Sequence, residues 1–390
     1  MSILFDKFSL TIFIVFVLVI SFDPTGTILG IKEILFAFLL ICSLPWLCKQ
    51  KISKSILFIL LICLSVPMYG IVVAVLKDNF IDTAYAWGHW KSFLFLLIFI
   101  FLMHIEFDKI LKILFINGSL IALCTVCIFV IAQINQDLFS TIYDQSVENS
   151  NIIISRRIYY GISILGVYFK TGPFMLFSYV YSLYFYNGRW NKLFIILNLS
   201  ALLMAGSRVP MLMALFLSLM YLYDRFKGNR YIKYILFFFF LSSFSFLTYK
   251  LATEKGESSN DIKFNDFNSY IQTIFSGFTP LVGDGLGSVF FARGRNVMMS
   301  NSEQTYMDIF HIYGFIIGGI LILAVFYPVI YFGGSKYRYI LKYRRFVLAY
   351  ALYMILAGTN PLLISSTGML VWAIGLTFVH KIKTNQLYEF

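Results

Sequence analysis

Apolar residues recur in long, nearly uninterrupted runs, and those runs leave this chain few folds to choose from. They fall at about residues 8–22, 28–48, 55–76, 92–105, 112–133, 171–186, 190–206, 209–223, 232–249, 304–333, 347–358 and 362–380. A membrane-spanning helix needs about 20 predominantly apolar residues, so runs of this number fit into 390 residues with connections to spare. Charged residues make up only 13% of the chain, about half of the roughly 25% that a water-soluble domain carries. The expected fold is therefore all-α: a polytopic integral membrane protein of about twelve transmembrane helices with a large extracytoplasmic loop. The same composition excludes a disordered chain, a nucleic-acid-binding domain and a small disulfide-stapled scaffold. Cys42, Cys48, Cys63, Cys124 and Cys127 all lie in apolar stretches and read as buried structural thiols, including the CxxC of Cys124 and Cys127, which has no His or acid beside it.

Charge distribution supplies an orientation. Short basic connections (Lys49, Lys51 and Lys54; Lys109 and Lys112; Arg189 and Lys192; Arg225, Lys227, Arg230 and Lys233; Lys336 to Arg345; Lys381 and Lys383), with Lys7, hold most of the 31 Lys and Arg residues. They alternate with longer segments of mixed sign. Lys and Arg collect in cytoplasmic loops, which places the basic set and both termini in the cytoplasm. The first apolar run reads as a span rather than a cleavable signal peptide. The chain divides into N-terminal transmembrane helices (1–133), an extracytoplasmic loop (134–170), central transmembrane helices (171–249), a large extracytoplasmic loop (250–303) and C-terminal transmembrane helices (304–390). A loop of roughly fifty residues is too long for a bare connector and is expected to carry function or structure of its own. Within it, 264–278 reads as an amphipathic helix lying at the membrane interface. No internal repeat of the kind many transporters carry is visible.

Candidate chemistry gathers at the outer ends of the runs. Arg208, in MAGSRVP, falls where the chain turns back between two spans. At membrane depth an arginine is costly unless paired or wet, so it is either a snorkelling helix-end residue or a forked donor for a phosphate or pyrophosphate. GDGLGS at 283–288 is followed by Arg293 and Arg295. It is no Walker loop, and its glycines are expected to let the chain fold closely over a neighbouring element; the two arginines are candidates to join Arg208 around an anion. In SNSEQTYMDIFHIYG (300–314), a helix starting near Glu303 would put Glu303, Met307 and Asp308 on one face with His311 a turn beyond. Glu303 is a candidate general base or an orienter of an arginine, against the plainer reading of a carboxylate favoured by a helix N-terminus. Four dispersed histidines indicate no metal site. Asn360 and Pro361 open a further outer turn, where Ser365, Ser366 and Thr367 would meet a polar ligand or cap the last helix.

Four of these stretches together resemble the O-antigen polymerase and O-antigen ligase superfamily of bacterial surface-polysaccharide assembly. GSR at 206–208 resembles its arginine turn, and PLVGDGLGS at 280–288 is similar to its glycine-rich stretch. EQTYMDIFHIYGFIIG at 303–318 and TNPLLISSTGML at 359–370 resemble the segments that follow. With Tyr306 and Gly314 aligned, Glu303 stands where the ligases carry histidine, which favours a polymerase. The resemblance implies a helical fold of the membrane glycosyltransferase C type in the bacterial inner membrane, with its site facing the periplasm or exterior. It implies an undecaprenyl-pyrophosphate-linked glycan donor and acceptor, a chain-length regulator as a partner, and no metal, nucleotide or other cofactor. Glu303 and Arg208 would be catalytic, while Arg208, Arg293, Arg295, Tyr306, Asp308, His311 and Asn360 would bind pyrophosphate or glycan. The alternatives are a ligase that transfers polymer to lipid A core, and a lipid-linked oligosaccharide flippase or other transporter.

Overall fold

The computed structural model describes residues 2–47, 52–149, 151–159, 162–226, 228, 230–252 and 258–387. Cys48, Lys49, Lys51, Lys227 and the 253–257 stretch of the largest loop lie outside the described residues. The chain begins with α1 (Ser2–Phe22), α2 (Lys32–Leu47), α3 (Lys54–Leu76) and α4 (Thr83–Leu94), which runs through a 3₁₀ turn (Phe95–Ile98) into α5 (Phe99–Leu102). Next come α6 (Phe107–Ile134), α7 (Gln136–Asn149), β1 (Ile152–Tyr159), β2 (Ile162–Phe169), α8 (Phe174–Tyr184), α9 (Asn191–Met204), α10 (Arg208–Arg225) and α11 (Arg230–Ala252). The last part holds α12 (Ser258–Ile274), α13 (Thr279–Val282), β3 (Phe290–Ala292), β4 (Val297–Met299), α14 (Thr305–Gly333), α15 (Leu341–Gly358) and α16 (Ser366–Lys383).

Each apolar run falls largely on helix. Among the described residues, four helical segments are long and apolar enough to cross a membrane: Lys54–Leu76, Thr83–Leu102, Phe107–Ile134 and Thr305–Gly333. Lys7–Phe22, Phe174–Tyr184 and Asn191–Met204 are apolar but shorter. The chain is mostly helical, consistent with the expected all-α membrane protein, and both long segments between helices also contain short strands. β1 and β2 form an antiparallel hairpin with Ile152 opposite Phe169 and Tyr159 opposite Ile162; both strands are dense in the β-branched and aromatic residues that suit a pleated surface. The largest segment holds α12, α13 and a second hairpin, β3–β4, with Phe290 opposite Met299.

The described chain forms two compact units. In the unit made of Met1–Ile20, Leu29–Ile110 and Ser258–Phe390, α16 is buried from Ser366 to Ile382, as expected of a helix apolar on every side. Trp372 Nε1 donates to Ala324 O (3.2 Å) and Tyr350 Oη to Val325 O (2.7 Å). The Phe378 ring packs among Phe107, Phe332, Tyr343 and Phe346. In the other unit, Gly118 of α6 approaches α8 so closely that a Cβ there would lie 2.7 Å from Phe174 O. The Ser119 and Ser178 hydroxyls meet at 2.7 Å in the same contact. Small residues with hydroxyl bonds across helices are the usual means of association where apolar surface alone gives no preference.

One irregularity organises the first unit. α14 is broken at Gly314, whose φ of 71° and ψ of 175° are not helical. At the break the carbonyls of His311 and Ile312 accept from the amides of Asp284 (2.7 Å) and Gly285 (3.0 Å). The Leu286 amide then bonds to Gly70 O of α3 (2.8 Å), and Gly287 O accepts from the Ile81 and Asp82 amides. The expectation that the glycines let the chain fold closely over a neighbour is met: a Cβ on Gly285 (φ 92°) would lie 2.2 Å from Ala74 N.

Gly285→Ala is therefore expected to cost at least about 1–3 kcal/mol from backbone strain alone. Gly88→Ala, in α4 with open space around it, is expected to gain about 0.5–1 kcal/mol. Thermal unfolding of the two variants in one detergent checks the opposite signs.

Candidate functional site

The first half of α14 carries three of the singled-out residues of this unit, Tyr306, Asp308 and His311. Its helix starts at Thr305, after the N-cap position at Gln304, so Glu303 stands outside it and does not share the face expected for it. The segment before the helix is pinned instead: Gln304 Nε2 donates to Lys263 O (2.7 Å), and the Ser302 amide donates to Asp308 Oδ1 (3.2 Å). Asp308, in the first helical turn where the dipole favours an anion, also accepts from Tyr270 Oη of α12 and is buried. His311, one turn on, is fully buried between the rings of Phe290 and Tyr270. Its Nε2 lies 3.3 Å from Asp284 Oδ2, although neither ring nitrogen makes an aligned hydrogen bond.

Asp284 is the hub that sequence reasoning missed. Its Oδ1 accepts from Lys77 Nζ at the end of α3 (2.9 Å) and from Thr279 Oγ1 of α13 (2.7 Å). Burial pushes its carboxyl up, but the His311, Lys77 and Thr279 contacts outweigh burial and hold it down at about 2. The anion thus ties α3, α13 and α14 together at the break. The signal was present in the sequence, as the one acid inside the glycine stretch.

A second cluster sits on α12 and the β3–β4 turn. Glu303 Oε2 pairs with Lys263 Nζ (2.8 Å) and Oε1 with Arg295 Nη2 (3.2 Å). Arg295 Nε lies 3.4 Å from Oδ2 of the buried Asp266. The turn is held in place because Asp266 Oδ1 also accepts from the Gly294 amide (3.0 Å), and Ser269 Oγ accepts from the Arg293 amide (3.0 Å). The Arg293 side chain is exposed and makes no ion pair among the described residues. Burial pushes the Glu303 carboxyl up, yet the hydrogen bonds and charges of Lys263 and Arg295 prevail and keep it below its ordinary value. In this arrangement Glu303 pairs with two cations and is a weak base. Three cations stand against two carboxylates, and a charged, forked donor set of this kind suits an anion.

The remaining candidates are engaged within the protein. Tyr306 Oη donates to Met354 O (2.9 Å), and its ring packs where Gly358 leaves no room for a Cβ. The Asn360 carbonyl accepts from Thr305 Oγ1 (2.9 Å) and its amide donates to Leu356 O (3.3 Å). Ser365 caps α16, its hydroxyl accepting from the Gly368 amide (3.2 Å), which is the plainer of its two expected roles. Deeper still, His89 of α4 lies between Tyr313 Oη (3.0 Å from Nε2) and Tyr85 Oη (3.3 Å from Nδ1). Arg208 belongs to the other unit, where it opens α10 and is half-buried. The turn before it is tight, since a Cβ on Gly206 would lie 2.4 Å from Gly166 Cα of β2. Among the described residues no three His, Cys, Asp or Glu side chains converge as a metal site would require.

Because the Asp284 carboxyl lies below its ordinary value of 3.8, its contribution to stability is present above that value and is lost as pH falls through about 2. Asp284→Asn is expected to lower the melting temperature at neutral pH, with the gap from wild type closing as both are acidified; a constant gap across the titration would oppose this.

Comparison with protein-family models, with curated proteins and with solved structures finds no match for this chain.

Proposed function

We propose that this chain is a polymerase that joins undecaprenyl-pyrophosphate-linked oligosaccharide repeat units into an O-antigen or capsule-like polysaccharide. It would work at the outer face of a bacterial inner membrane, with about twelve spans in a glycosyltransferase C-like arrangement and both termini cytoplasmic. The observation that carries this reading is the convergence of three of the four resembling stretches. The glycine stretch bonds to the broken helix through Asp284 and Gly285, and the start of that helix bonds to the 354–360 region through Thr305 and Tyr306. Residues some eighty positions apart in sequence thus meet in one unit, beside an ion cluster suited to a diphosphate.

In the proposed reaction a hydroxyl oxygen of the acceptor glycan attacks the anomeric carbon of the donor. The bond from that carbon to the pyrophosphate oxygen breaks, and undecaprenyl pyrophosphate leaves with the electron pair. Arg295, Arg293 and Lys263 would stabilise charge developing on the leaving group, which is commonly the largest catalytic contribution in such sites; Arg208 is a catalytic candidate on the resemblance alone. Glu303 has a conditional role. A diphosphate that draws Lys263 and Arg295 to itself removes the contacts that hold the carboxyl down, leaving burial to raise its basicity. The carboxylate would then accept the acceptor hydroxyl's proton only when donor is bound.

Buried ionisable groups in α4 and α14 would also suit a transport pathway, so genetics must separate the readings. Loss of a polymerase leaves lipid A core bearing one repeat unit, loss of a ligase leaves bare core, and loss of a flippase leaves lipid-linked units on the inner face. Arg295→Ala, Glu303→Gln and Arg208→Ala are each expected to leave protein in the membrane but abolish long-chain polymer on a surface-glycan gel. Near-normal chain lengths in Arg295→Ala would overturn the assignment of the leaving-group site.

A further inference from the structure

The helix that supplies Lys263 and Asp266 has two apolar sides, and only one is used inside the protein. Its inner side, with Tyr270 and Ile274, packs on Phe290 and Ala292 of β3 together with Met307 and Phe310 of α14. On the adjoining side, about a quarter turn round the helix, Phe264, Phe267, Ile271 and Phe275 recur at helical spacing, and the three phenylalanines are exposed. The row continues past the helix end into Phe278, 77% exposed, and Leu281 of α13. Asn265 and Gln272, both exposed, flank it on one edge, and Lys263 lies on the other.

What covers this row is indicated by what it joins. The Phe275 ring contacts that of Phe315 (5.6 Å), which in turn contacts Phe310 (5.2 Å). Phe315 begins the second half of α14, whose outward residues Ile316, Ile320, Leu323 and Ile330 are all exposed. That helix is one of the four long and apolar enough to cross a membrane. The apolar row of α12 and α13 is therefore continuous with a surface that acyl chains would cover, while its polar edges and lysine match a headgroup layer. A helix with one such face and charged or amide flanks lies in the interface plane with its apolar side a few ångströms below it.

We propose that α12 and α13 are seated in the polar–apolar boundary of the bilayer, with Phe264, Phe275 and Phe278 immersed among phospholipid acyl chains. The consequence is a placement for the ion cluster: Lys263 and the Arg295–Glu303 pair then lie at headgroup level, where an anionic lipid headgroup reaches them without leaving the membrane. This seating holds whatever reaction the cluster performs.

The test uses the full chain, with its five cysteines replaced, purified and reconstituted in phosphatidylethanolamine–phosphatidylglycerol vesicles. Nitroxide labels are placed singly at Phe264, Phe275 and Phe278 and, for contrast, at Asn265 and Gln272. At the three phenylalanine positions, collisions with oxygen are expected to exceed those with a water-soluble nickel reagent; at the two polar positions the order is expected to reverse. Equal access of nickel at all five positions would overturn the proposal, as would exclusion of both reagents from the phenylalanine positions, which would mean a protein partner covers the row. A photo-crosslinking amino acid at Phe275 in the otherwise native chain needs no cysteine replacement. Phospholipid adducts support the seating, and adducts to a second copy or another protein overturn it.

Discussion

Two carbonyls at a break in an apolar helix dictate much of the first unit. A buried backbone group has no water to satisfy it, so an interruption such as the buried Gly314 survives only where other protein groups take over its hydrogen bonds. The amides of Asp284 and Gly285 do so here. Bringing them that close requires backbone that only glycine tolerates against Ala74, and it delivers the Asp284 carboxylate to Lys77, Thr279 and His311. The loop that fills the break is also the root from which β3 and β4 emerge. Placement of Arg295 therefore follows from satisfying the backbone of α14.

The charged groups above that root are arranged for exchange more than for permanence. Exposed ion pairs add little to stability, on the order of 0–1 kcal/mol. Glu303, between Lys263 and Arg295, is thus held in a geometry that a stronger anion can displace at small cost. Asp266 differs: it is buried and bonded to the Gly294 amide, so it keeps the turn and one edge of the Arg295 guanidinium fixed while the other edge is held only by the displaceable Glu303. A fixed turn carrying partly engaged cations is the preorganised form of an anion site. The proposed coupling between donor binding and Glu303 basicity depends on this difference between the two carboxylates.

The sequence made the helices legible because apolar runs of span length have little alternative. It also placed the glycine stretch correctly as a close-packing device, since three glycines around one acid have few other uses. The strands were not legible. Residues 152–169 fall within the expected extracytoplasmic loop of 134–170, whereas their Ile, Val and Tyr content serves a pleated ribbon. The site was legible in part. Arg295 and Glu303 were singled out, and they meet, but Glu303 sits before the helix because Ser302 and Gln304 are bonded elsewhere. Tyr306 and Asn360 are ligand groups only as the resemblance implies. Their polar atoms instead fasten α14 to α15, a use that depends on Gly358 and on a backbone carbonyl that no side-chain pattern announces. Asp284 was passed over because its partners, Lys77 and His311, are remote in sequence.

The most direct test of the break-and-plug account is amide hydrogen exchange of the reconstituted protein, resolved at Asp284 and Gly285. Both amides are expected to exchange as slowly as those of the buried helix α16, because each donates to a buried carbonyl at the helix break. Exchange at the rate of an exposed loop would mean that the glycine stretch does not fill the interruption in α14, and the placement of Asp284, the β3–β4 turn and Arg295 built upon it would fall.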